Sequence, residues 1–227
     1  MRRLKLLGAA CVVLVALVAV ATNSASAFTL PEVLGITAGA EFKTKDSVAN
    51  PTFETLSGNT VTCEHVTGSG TVEAGLTLGP FHVTFAGHCK GTILGIASAC
   101  TGLGDATETI LTLGKWHTVV DTKSGEALGA AILLLLEPVH FTCGIALIEV
   151  KGSLLCLITT PLTSALSHTT TCTQTKGMAG ETKYLNDAGV ETAIEALLSS
   201  TNHGAFEEAG EAATGTIEFA KAVTIDD

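Results

Sequence analysis

The sequence predicts an all-β protein, a sandwich or irregular barrel of short antiparallel strands stapled by disulfides. Three observations predict it. Alternating apolar and polar stretches recur about every ten residues with glycine-rich breaks between them. No stretch of the first half has helical periodicity. Beyond an apolar leader, the cysteines are even in number: Cys63, Cys89, Cys100, Cys143, Cys156 and Cys172.

The leader is a basic Met1-Arg2-Arg3-Leu4-Lys5, an apolar run from Leu6 to about Ala21, and a small, polar end at Asn23-Ser24-Ala25-Ser26-Ala27. That order is the signature of a secretory signal peptide cleaved after Ala27. The apolar run falls short of the ~20 residues of a spanning helix, so no stable membrane span is expected after cleavage. Residues 28–58 read as an N-terminal arm and 59–227 as one disulfide-stapled β domain, long enough for a single core. The expected location is extracellular or at the cell envelope. There six cysteines read as three disulfides, although spacing alone leaves 15 connectivities open.

The chain carries a formal charge of −10, and −13 once Arg2, Arg3 and Lys5 leave with the leader. No Lys or Arg cluster reverses this locally, so nucleic acid is excluded as a partner on electrostatic grounds. With 46% hydrophobic residues, the acidity reads as a solubility device.

The elements follow in order. In the arm, Phe53 to Leu56 is a short strand, closed by a turn at Ser57-Gly58-Asn59. Thr60 to Val66 alternates with Val61, Cys63 and His65 on one face. A turn is expected at Gly68-Ser69-Gly70, a strand at Thr71 to Leu78, a turn at Gly79-Pro80, and a strand at Phe81 to Phe85. Leu94 to Ala99, Thr107 to Leu113 and Trp116 to Asp121 come next, with Leu113-Gly114-Lys115 as a turn. Ala127 to Leu136 reads as a buried central strand, and Val139 to Val150 pairs with Ser153 to Thr159 through a turn at Lys151-Gly152. The Thr/Ser-rich 161–175 suits an exposed or edge strand. Thr182 to Leu185 pairs back, Asn186 to Gly189 turns, and Val190 to Ser199 is read as strand over helix. Thr214 to Ile225 closes the chain, with Ile217, Phe219, Val223 and Ile225 on one face, Glu218 and Thr224 on the other, and Lys221 the exception.

Val61-Thr62-Cys63, Gly68-Ser69-Gly70-Thr71-Val72, Val83 to Cys89, Cys100, Phe141-Thr142-Cys143-Gly144 and Val150-Lys151-Gly152-Ser153 together resemble an uncharacterised family of secreted, β-rich actinobacterial proteins. The resemblance covers most of the mature chain and carries no known activity, cofactor or catalytic residue. In that pattern glycine directly precedes the second cysteine, whereas His88 intervenes here. The resemblance also implies a four-cysteine core, with Cys156 and Cys172 added to it. On that basis the expected pairs are Cys156 with Cys172, Cys89 with Cys100, and Cys63 with Cys143.

Candidate chemistry is sparse. Histidine and cysteine lie close in Cys63-x-His65, His88-Cys89, His140-x-x-Cys143 and His168-x-x-x-Cys172, which suggests zinc or copper only if the thiols are free. No G-x-S-x-G elbow or H-E-x-x-H helix is present. Glu207, Glu208 and Glu211 near His203 could be offered as a carboxylate pair, but such an acidic loop is usually solvated. Trp116 is the one plausible carbohydrate platform, with burial in the core as its competing reading. The sequence is therefore read as that of a non-catalytic secreted or cell-surface structural or binding protein without cofactor or metal, with an extracellular protein or the cell wall as possible partner. The alternatives are a small extracellular hydrolase and, behind it, a Cys/His metal binder.

Overall fold

The computed structural model describes residues 29–45, 50–123, 126–159 and 163–225, so the leader and its cleavage site lie outside the described residues. Within them the chain is all-β. One sheet of 16 antiparallel strands closes on itself as a ring, without the regularity of a standard barrel.

After β1 (Val33–Leu34), which pairs with the last strand, the chain runs up and down in eight tracks. The first is β2 (Glu41–Lys45) continued by β3 (Thr52–Thr55). The second is β4 (Thr60–Thr62) and β5 (His65–Thr71), the third β6 (Leu78–Ala86) and β7 (Lys90–Ile93), and the fourth β8 (Ile96–Gly102) and β9 (Ile110–Lys123). The fifth and sixth are unbroken: β10 (Glu126–Cys143) and β11 (Ala146–Ile158). The seventh starts as β12 (Ala165–Gln174). It leaves the ring through a 3-10 turn at Ala179–Glu181, β13 (Lys183–Leu185) and β14 (Glu191–Ala193), and resumes as β15 (Leu198–Thr201). The eighth is β16 (Glu207–Ile225).

Each track pairs with the next, and β16 returns to the first, meeting β3 at 209–212 and β2 at 216–219. The segment read as an arm thus supplies the strands that close the ring. Closure leaves the ring without a free edge, which matters for a chain this rich in Ile, Leu and Val. Because β10, β11 and β16 are continuous while the other tracks break midway, the ring consists of two eight-stranded circuits that share those three strands. One circuit runs through β3, β4, β7, β8 and β15, and the other through β2, β5, β6, β9 and β12.

Side chains obey the two-residue period of a strand. On β10, Ile132, Leu134 and Leu136 face the interior, whereas Ala131 and Leu133 face outward and are buried with Leu155, Ile194 and Tyr184 beneath the β13–β14 excursion. Between Leu136 and Val139 the register shifts at Glu137-Pro138, which turns Val139, Phe141 and Cys143 inward in their place.

Several expected turns are strand interior. Gly68 and Gly70 lie in β5, Gly79-Pro80 in β6, Gly114 in β9 and Gly152 in β11. The reason is packing. A Cβ on Gly70 would sit 2.3 Å from the Phe42 ring, and one on Gly114 would sit 2.8 Å from that of Phe81. Gly70 and Gly114 give neighbouring aromatic rings somewhere to lie, and Gly152 lets the Ala196 carbonyl approach, uses of glycine that resemble turn chemistry in sequence alone. The described part of the Thr/Ser-rich stretch, 163–175, is likewise no edge: β12 pairs with both β11 and β16, and His168, Thr170 and Gln174 are buried. Val190 to Ser199 holds the whole of β14 and the first two residues of β15, with 194–197 outside any strand.

The disulfides are Cys63–Cys89, Cys100–Cys143 and Cys156–Cys172. The third agrees with expectation, while Cys89–Cys100 and Cys63–Cys143 are corrected. Cys89 and Cys100 do stand opposite one another beside β7 and β8, but as a hydrogen-bonded pair, the Cys100 N–H donating to the Cys89 carbonyl at 2.8 Å. Such pairs hold their Cα atoms about 5.5 Å apart, and non-hydrogen-bonded pairs about 4.5 Å. Each of the two cysteines turns instead to the neighbour on its other side, with Cα atoms 4.1 Å apart in both bridges.

Candidate functional site

A ring of eight strands encloses an interior that side chains either fill or leave open for one small ligand. Here they leave a cavity of about 190 Å³ between the two circuits, lined by residues of both cores. Phe42, Phe81, Trp116, Leu134, Phe141 and Phe219 are among the aromatic and aliphatic residues of its wall. Phe42 anchors one end, packing edge-on to Trp116 with ring centroids 5.7 Å apart and against Phe219 at 5.8 Å.

Trp116 is 4% exposed, and its indole N–H donates to the Thr71 carbonyl at 3.1 Å. It is a wall of the cavity and cannot be a surface carbohydrate platform.

Few polar groups reach this interior, and most are engaged. Thr118 Oγ1 donates to the Pro31 and Thr77 carbonyls, and Thr170 Oγ1 to the Gly215 carbonyl at 3.3 Å. The His168 ring lies edge-on to Phe219 at 6.4 Å. Thr44 Oγ1 is buried with no hydrogen-bond partner among the described residues.

Glu211 is the exception that defines the site. Burial pushes its carboxyl up to about 7 from an ordinary 4.5, and no donor among the described residues hydrogen-bonds it. It keeps some accessible surface and lines the cavity. Four residues earlier on the same strand, Glu207 shows the contrast. Burial would raise its carboxyl too, but the Ser57 backbone N–H and Oγ, each at 2.6 Å, hold it below the ordinary value.

The expected solvated loop of Glu207, Glu208 and Glu211 is therefore the first part of β16, and these carboxylates do not form a pair for hydrolysis. His203 stays outside in an exposed turn at φ 59°. The sequence did carry a signal for Glu211. Continuing the alternation of Ile217 and Phe219 backward through Gly215 and Ala213 places Glu211 on the inward face.

The histidine–cysteine neighbours do not converge. All six cysteines are oxidised, so none offers a thiolate. His65 and His88 are exposed, and His140 lies 3.7 Å from Glu149. Among the described residues no three of His, Cys, Asp or Glu come together as a metal site. His88 adopts φ 54° and pairs with Glu64 at 3.1 Å, which raises its imidazole above the ordinary value. That left-handed backbone is one that glycine adopts freely, at the very place where the resembled pattern has glycine.

No known protein family, curated protein or solved structure matches the chain. No helix among the described residues is long and apolar enough to cross a membrane.

Proposed function

We propose that this chain is a non-catalytic exported binding protein whose ring holds one small, mainly apolar molecule. The observation that carries the reading is the 190 Å³ cavity, whose wall is overwhelmingly apolar. Cavities of about 150 Å³ lined by aliphatic and aromatic side chains bind benzene or xenon. Three disulfides suit an oxidising compartment. Release after cleavage at Ala27, residence in the medium or at the envelope, and kinship with the secreted actinobacterial family belong to the same proposal.

Trp116, the chain's single tryptophan, lines the cavity and reports its occupancy. Titrating the purified protein with toluene is expected to change Trp116 emission saturably and to raise the melting temperature. Ala213→Phe, which fills the cavity from β16, is expected to remove both responses. A native protein whose emission and melting temperature ignore toluene would overturn the proposal.

A further inference from the structure

Among the features of this molecule that could recognise something, the interior carboxyl stands apart from the surface histidines, the exposed turn tips and the acidic exterior. Glu211 projects from β16 into an apolar chamber, and among the described residues burial alone, with no charge partner, sets the state of its carboxyl. Three cationic or titratable groups line the same cavity: His168 on β12, His82 on β6 and Lys45 on β2. The Lys45 ammonium is held by Glu218 at 2.7 Å at the surface. His82 is exposed and bonded to Ser69 at 3.2 Å, and the His168 ring is packed on Phe219. β3 faces Glu211 with Phe53, at the position paired with it in register. A buried carboxylate without a cation is costly, and native proteins pair such groups. A site that needed only a neutral hydrogen bond could use an amide or hydroxyl, without a group that opposes folding when it ionises.

Resting on the binding-protein reading above, we infer that the ligand brings the missing charge: a small primary amine on an apolar body, its ammonium against Glu211 and its hydrocarbon among Phe53, Leu134 and Leu154, with Trp116 next to Leu134 in register. Scaled from benzene in ~150 Å³, the cavity suits a molecule of about eight heavy atoms. The exposed Lys45 and His82 among the lining residues mark where the chamber nears the surface.

The test compares benzylamine with benzyl alcohol, toluene and benzoate by Trp116 emission. At pH 8 benzylamine is expected to bind at least tenfold more tightly than the alcohol or toluene, with benzoate the weakest. The preference is expected to shrink at pH 5, where Glu211 holds its own proton. Glu211→Gln is expected to abolish the preference while toluene still binds, and Glu211→Asp, which keeps the charge, to retain part of it. His168→Asn is expected to leave the preference and its pH dependence in place. Equal affinity for amine and alcohol in the native protein, or a preference that survives Glu211→Gln, would overturn the amine inference and leave the cavity reading standing. Failure of toluene to bind would remove both.

Discussion

The two circuits of the ring share β10, β11 and β16, yet they close their interiors by different means. The circuit through β3, β4, β7 and β8 uses sulfur. Cys63–Cys89 and Cys100–Cys143 sit among Val61, Ile93, Phe141, Ile148 and Leu197, and Cys89, Cys100 and Leu197 have no exposed surface at all. Gly91 lets the strands approach there, since a Cβ on it would lie 2.8 Å from the Cys100 sulfur. The circuit through β2, β5, β6 and β9 uses large rings instead, with Phe42, Phe81, Trp116 and Phe219 leaning over glycines and a single disulfide at the wall. Disulfides draw strands together with little volume, and the chamber's wall at that end is made by Val61, Cys63, Val139, Phe141 and Leu154. Flat rings reach across but do not interlock, and a chamber remains beside them.

The largest expected effect tests the stapled end. Replacing Cys100 and Cys143 with Ala opens a loop of 43 residues and is expected to destabilise the protein by about 4 kcal/mol, read as a shift in denaturation midpoint. The same change at Cys156 and Cys172, which close 16 residues, is expected to cost about 3 kcal/mol. A reversed order would break the contrast between the two ends.

The chamber carries the next effect, and its sign depends on pH. Below its ordinary value of 4.5, Glu211 is protonated whether the chain is folded or not, and it contributes no pH-dependent term. As pH rises the unfolded chain ionises first, so stability falls until the folded carboxyl ionises near 7. Glu211→Leu is therefore expected to stabilise the protein by up to roughly 3 kcal/mol at pH 8, relative to its effect at pH 4. Denaturation curves that show no pH dependence in this difference would mean that the carboxyl is solvated and the chamber is wet.

Smaller effects refine the picture. Thr44→Val removes a buried hydroxyl without a partner and is expected to stabilise by about 1 kcal/mol, read as a shift in denaturation midpoint. His88→Gly relaxes a left-handed residue outside both cores and is expected to change the unfolding free energy by less than about 1 kcal/mol, read from denaturation curves.

The strand periods show how far residues alone reach. Alternation in Phe81 to Phe85, in Ala127 to Leu136 and in Thr214 to Ile225 declares strands because each face meets a different medium, and that difference is written in side-chain polarity. Glycine is ambiguous at this level. In Gly68-Ser69-Gly70 and Leu113-Gly114-Lys115 it reads as a turn, but the ring that occupies its missing side chain comes from a strand elsewhere in the chain. Disulfide partners are ambiguous for a similar reason. Whether Cys89 turns to Cys100 or to Cys63 depends on which pairs are hydrogen-bonded, and register is a property of two strands together.

The sequence by itself determined the class of the protein: β-rich, acidic, stapled through six cysteines, and without the motifs of the common hydrolases or zinc sites. Each of these is a local pattern or a sum over residues. The tertiary structure decided that the eight tracks close into a ring, that Trp116 is a wall, and that Glu211 faces a chamber and not the solvent. A carboxyl's neighbourhood is assembled from β2, β3, β6, β9, β10, β11 and β12, and no window along the chain contains it.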